Sequence, residues 1–131
     1  PAETAAAATS DQTDPVTLLE EAERELAEVQ RAVEEAPDQA TRRERLLHGI
    51  ERVQRRYLAP FVERRDVIIA RAGMTGYARI MDQFATTERR INRVWSSAAD
   101  DVLDEAHASL LDGRRHLHEA IDVARSTLGE G

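Results

Sequence analysis

Over residues 77–128 apolar side chains return every 11 residues, and no proline interrupts them. Phe84, Trp95, Ala106, Leu117 and Leu128 form one column, and Ile80, Ile91, Val102, Gly113 and Ala124 a second. Ala99, Leu110 and Ile121 form a third, which Glu88 breaks. An 11-residue period means about 3.67 residues per turn, so the stripe runs nearly straight along one helix face. Its phase holds across Ser96-Ser97 and Gly113, which predicts one continuous helix of about 75 Å. The competing reading is a break near Ser96, where Ser97-Ala98-Ala99-Asp100 resembles a capping box with Asp in place of Glu. Ala99, Ala106, Gly113 and Ala120, seven apart, form a row of small side chains that lets a neighbouring helix approach closely.

Two shorter helices precede this segment. Asp14-Pro15 reads as a helix start: Asp14 caps free N–H groups, and Pro15 suits the first helical position. Leu19, Ala22, Leu26, Val29, Val33 and Ala36 then follow at steps of three and four, a heptad-like seam that ends at Pro37. A second helix is expected from about residue 39 to 72, with Leu46 or Leu47, Ile50, Val53, Tyr57, Phe61, Ile68 and Ala72 on its core face. Pro60 removes one backbone hydrogen bond from that helix and crowds the preceding turn, which predicts a kink nearby. The Gly-Met-Thr-Gly stretch at 73–76 reads as the turn into the third helix.

The expected fold is therefore all-α: an antiparallel helical bundle of three long helices, the second kinked near Pro60 and the last coiled-coil-like. It becomes a four-helix bundle if the last helix breaks near Ser96. Residues 1–13, rich in Ala and Thr and without an apolar period, read as a flexible tail; residues 14–131 read as one domain.

Composition narrows the function. The chain has 131 residues, no cysteine and a formal net charge of −7. Disulfides and thiolate chemistry are excluded, and the acidic balance argues against generic nucleic-acid binding, which needs phosphate-neutralising charge. No apolar run is long enough for a transmembrane helix, and no segment reads as a signal peptide. The compartment stays open; an exported or tethered domain behind the N-terminal tail is compatible. All 18 basic side chains are Arg. Residues 1–38 carry 11 acids and 2 Arg, whereas residues 39–73 carry 9 Arg and 4 acids. That contrast favours antiparallel pairing of the first two helices and fixes their register more than it stabilises them. Contact with a phosphate or lipid headgroup by Arg42, Arg43, Arg45, Arg52, Arg55 and Arg56 is the less favoured use, because helix one supplies carboxylates for them.

No catalytic, cofactor or metal site is predicted. His116 and His118 point about 200° apart on a helix, and His107 and His118 lie about 16 Å apart, so neither pair shares a metal. Asp104-Glu105-Ala106-His107 alone approaches the Glu-x-x-His pattern of di-iron bundles. Asp100, Asp101, Asp104 and Glu105 lack the glycine and loop spacing of a calcium site. No Gly-rich phosphate loop or nucleophile elbow appears. The expected function is a non-enzymatic helical interaction or assembly module, acting by helix–helix packing in a homo-oligomer or larger complex. With one long last helix, Leu110, Leu117, Ile121, Ala124 and Leu128 form an uncovered stripe; Trp95, on the same seam, reads as a core-packing residue or as an interface residue. The alternatives are an adaptor or chaperone that holds a partner's amphipathic helix and, behind it, a metal or cofactor bundle.

Overall fold

The structure is a computed structural model that describes residues 13–129. Apart from Thr13, the predicted tail lies outside the described residues, as do residues 130 and 131. The described chain is an all-helical bundle: α1 (Pro15–Glu34), α2 (Gln39–Val53), a π-helical turn (Gln54–Leu58), α3 (Ala59–Glu63), α4 (Arg65–Ala99) and α5 (Leu103–Leu128). α1 packs on α2, α2 on α4, α4 on α5, and α5 closes the ring on α1. The chain therefore rises and falls in four arms around one core.

The starts of α1 and α2 each follow from a short polar side chain. Asp14 Oδ2 accepts from the N–H groups of Val16 at 2.9 Å and Thr17 at 3.4 Å, with Pro15 in the first turn. Asp38 Oδ1 accepts from the Thr41 N–H at 2.7 Å and starts α2. The α1 seam is buried as its spacing requires, from Leu19 through Ala22, Leu26 and Val29 to Val33.

The predicted disturbance at Pro60 takes a definite form. The helix widens to a π-turn just before the proline, and the Ala59 N–H reaches back five residues to the Gln54 carbonyl. A wide turn accommodates the proline's missing donor and bulky ring without ending the helix. It also slips the apolar face by one residue. Leu58 is buried, whereas Tyr57 is only partly so. Phe61 then stacks on Phe84 of α4, with ring centroids 4.7 Å apart.

Two expectations need correction. The second helix does not run unbroken to residue 72: α3 ends at Glu63, Arg64 leaves helical geometry with ψ near 16°, and helical residues resume at Arg65 and continue to the non-helical Gly73. The turn at 73–76 is narrower than the glycine spacing implied. Gly73 alone departs, at φ 74° and ψ 174°, a region open essentially to glycine. Gly76 is helical and buried, and a β-carbon there would sit 2.8 Å from Thr127 of α5. Its small size serves packing.

The second correction concerns the long last helix. α4 stops at Ala99, and α5 returns antiparallel along it from Leu103, so the four-helix form of the bundle is the one adopted. The stop lies a few residues beyond Ser96. The Val102 N–H donates to the Ser97 carbonyl at 2.8 Å and the Asp101 N–H to the Ala98 carbonyl at 3.0 Å. Asp101 is left-handed at φ 62°. This hydrogen-bond pair around a left-handed residue is the Schellman arrangement, which satisfies the last carbonyls and turns the chain out of the helix. Gly usually fills that place; Asp tolerates it better than most residues.

The reversal covers the stripe expected to be free. Leu110, Leu117 and Ala124 are fully buried within the chain, Ile121 nearly so, and Leu128 partly. The small-residue row works as expected, with its neighbour in the same chain. At Gly113 a β-carbon would come within 2.8 Å of Ile91 on α4.

Candidate interaction surface

With the stripe internal, Trp95 is the most exposed of the predicted interface residues, Leu128 being partly covered. It lies near the end of α4 and is 38% exposed. Its indole N–H donates to Glu51 Oε1 on α2 at 3.1 Å. One turn further along the same helix pair, the Gln54 amide donates to the Asn92 side-chain oxygen. The ring is thus fixed at the α2/α4 seam, with an apolar face toward water and its polar edge held. Tryptophan placed this way suits a binding surface, because it offers large contact area at little conformational cost. The Glu51 pairing spans 44 positions in sequence, so no local pattern announces it.

The arginines of α2 are divided among structural tasks. Arg43 donates from Nε to the Ala98 carbonyl at 2.9 Å and from Nη2 to the Ala99 carbonyl at 3.0 Å, closing the end of α4. Arg45 donates to the Ala32 carbonyl of α1 at 2.7 Å, and Arg52 pairs with Glu25 of α1 at 2.6 Å. The last of these is the acid–base contact between helices one and two that the charge contrast predicted. Arg55 and Arg56 are exposed. Arg42 lines a cavity of about 390 Å³ with Val33, Glu34, Leu103, Asp104 and His107. The six arginines therefore do not converge on one anion site.

The acids of α1 turn mainly to α5. Glu23 Oε1 receives Arg114 at 2.5 Å and His118 at 3.1 Å, and Arg114 also donates to Gln30 at 2.6 Å. Glu20 pairs with Arg125, and Glu34 meets His107 at 2.8 Å. The hydrogen bond with His107, helped by one from Gln30, holds the Glu34 carboxyl below its ordinary range. Among the described residues no three His, Asp or Glu side chains group as a metal site. His116 sits beside Asp112 and Glu119 at 3.8 and 3.6 Å, apart from His107 and His118. No helix of the described residues is long and apolar enough to cross a membrane.

Arg71 has a part that the sequence left unread. It donates to Asp14 Oδ1 at 2.6 Å and to the Leu128 carbonyl at 2.7 Å, tying the start of α1 and the end of α5 to α4. No protein-family model, curated protein or solved structure matches this chain.

Proposed function

We propose that this chain is a non-enzymatic interaction module, a self-contained helical bundle that engages a protein partner at the α2/α4 seam around Trp95. The observation that carries this reading is the fixed, part-exposed Trp95 with its indole N–H on Glu51. Aromatic anchors dominate binding energy at interfaces. The partner that fits best is an amphipathic helix laid along the seam with an apolar side chain over the indole. This places the contact away from the Leu110–Leu128 stripe, whose residues are occupied inside the bundle.

The test is site-specific photo-crosslinking in the native source. A photoreactive residue at Ser96 or Arg55 should give a discrete protein adduct that Trp95→Ala abolishes. The same probe at Arg24 or Asp122, on α1 and α5, should give none. Equal adducts at all four positions, or adducts indifferent to Trp95→Ala, would sink the reading.

A further inference from the structure

We infer that α5 can exchange between two copies of this chain, the hairpin at residues 100–102 opening so that α4 and α5 join into one helix. This is a second contact, independent of the Trp95 seam. It rests on a match between the two helices across the turn. Ile91, Val94 and Ala98 are buried on α4, and Ala106, Ser109 and Gly113 on α5. Ile91, Val102 and Gly113 are eleven apart, a spacing that drifts only about 20° per step on an ideal helix. Both helices therefore share one helical phase. Val102, now 42% exposed, is the missing member of the stripe. An apolar face that continues in register through a hairpin is not needed to make the hairpin; it is what an unbroken helix requires.

The turn itself is held at a cost. It has three residues, no glycine and no proline, and Asp101 is left-handed at φ 62°. Val102 begins α5 without any side-chain cap. Opening removes the left-handed residue, supplies the α5 start with helical partners, and adds backbone hydrogen bonds through the junction. Short hinge loops under strain favour exchange of this kind. The antiparallel order of the arms lets a second copy's α5 enter the vacated place from the same end. The contacts of Glu20 with Arg125, Glu23 with Arg114 and Glu34 with His107 then re-form between copies. Opposing this, association loses translational freedom. Asp100, Asp101, Asp104 and Glu105 of two copies also crowd at the junction, so the closed form is favoured at low salt.

The experiment uses two charge-reversed full chains, Glu23→Arg and Arg114→Glu. Each alone places like charges between α1 and α5, whether closed or exchanged with itself. Mixed, unfolded and refolded together, they recover opposite charges only by exchanging α5. The expected result is a one-to-one heterodimer by native mass spectrometry. A mixture that stays monomeric while both chains are helical overturns the inference. Should the charge variants not refold, Asp101 decides. Asp101→Leu should raise the dimerisation constant at least about tenfold over Asp101→Gly, since two hinges each carry the left-handed penalty. Equal constants overturn it too. Trp95→Ala should leave either result unchanged, which separates this exchange from the seam contact.

Discussion

Arg43, in the first turns of α2, donates to the carbonyl of Ala98 at 2.9 Å, 55 positions further along the chain. The same guanidinium reaches the Ala99 carbonyl at 3.0 Å, so a cation sits on the end of α4, where the helix dipole is negative. At the opposite end of the bundle Arg71 does the same for α5 through Leu128. Two planar, forked side chains thus close the two helix ends that a Lys would reach with a single point of contact.

Arg43→Lys should therefore lose more than a conservative change implies. Hydrogen bonds from a charged donor contribute roughly 1.5–3 kcal/mol each. Loss of one of the two should lower stability by about 1.5–3 kcal/mol in urea unfolding, with the slope unchanged. A midpoint equal to that of the parent chain would show that water replaces the contact without loss.

Gly73 should not accept a β-carbon although open space surrounds it. Its φ of 74° with ψ of 174° is the constraint, and Gly73→Ala should cost about 1–3 kcal/mol. Gly113→Ala meets instead the end of Ile91, whose Cδ1 would lie 2.8 Å away. That terminal methyl can rotate aside, so this change should cost less than Gly73→Ala in thermal melts. The reverse order would mean that packing, and not backbone geometry, governs both glycines.

Leu117→Asp separates an internal stripe from an exposed one. Leu117 is fully buried, and an unpaired charge there has no solvent or partner. Helicity itself should collapse in far-ultraviolet circular dichroism. Leu117→Ala should keep the fold and cost about 2–5 kcal/mol. A well-folded Leu117→Asp chain would place that face in water.

The Glu34–His107 pair sets an acid limit. Glu34 is held below the ordinary carboxylate range chiefly by the His107 hydrogen bond, and Asp38 likewise by the Thr41 N–H. A depressed folded value means the stabilisation is present above the unfolded value, roughly pH 4, and is lost as pH falls through the folded one. The melting temperature should decline as pH drops below about 4.5. In Glu34→Gln and Asp38→Asn the decline should be shallower. Parallel profiles for parent and variants would remove these two groups from the acid transition.

Local chemistry was legible wherever the deciding residues are neighbours in sequence. Asp14-Pro15, the α1 seam, the second helix's core face and the disturbance near Pro60 depend on contacts within a few residues, and each has a short-range signature. The periodicity of residues 77–128 also marked most of the buried faces of α4 and α5, down to the close approach at Gly113, but its members Trp95 and Val102 are exposed. Periodicity records which side of a helix is apolar, however, and carries no information on whether that helix continues. A break of three residues that preserves the phase is invisible to it. What decides the reversal is the satisfaction of the last α4 carbonyls by Asp101, Val102 and, from 55 positions away, Arg43. The Glu51–Trp95 contact and the Arg71 clasp are likewise long-range hydrogen bonds. Their geometry exists only once the arms have packed. The chain's apolar pattern thus determined that it is helical and which faces are greasy. The tertiary structure alone decided that α5 folds back to cover that grease and leaves Trp95 at the surface.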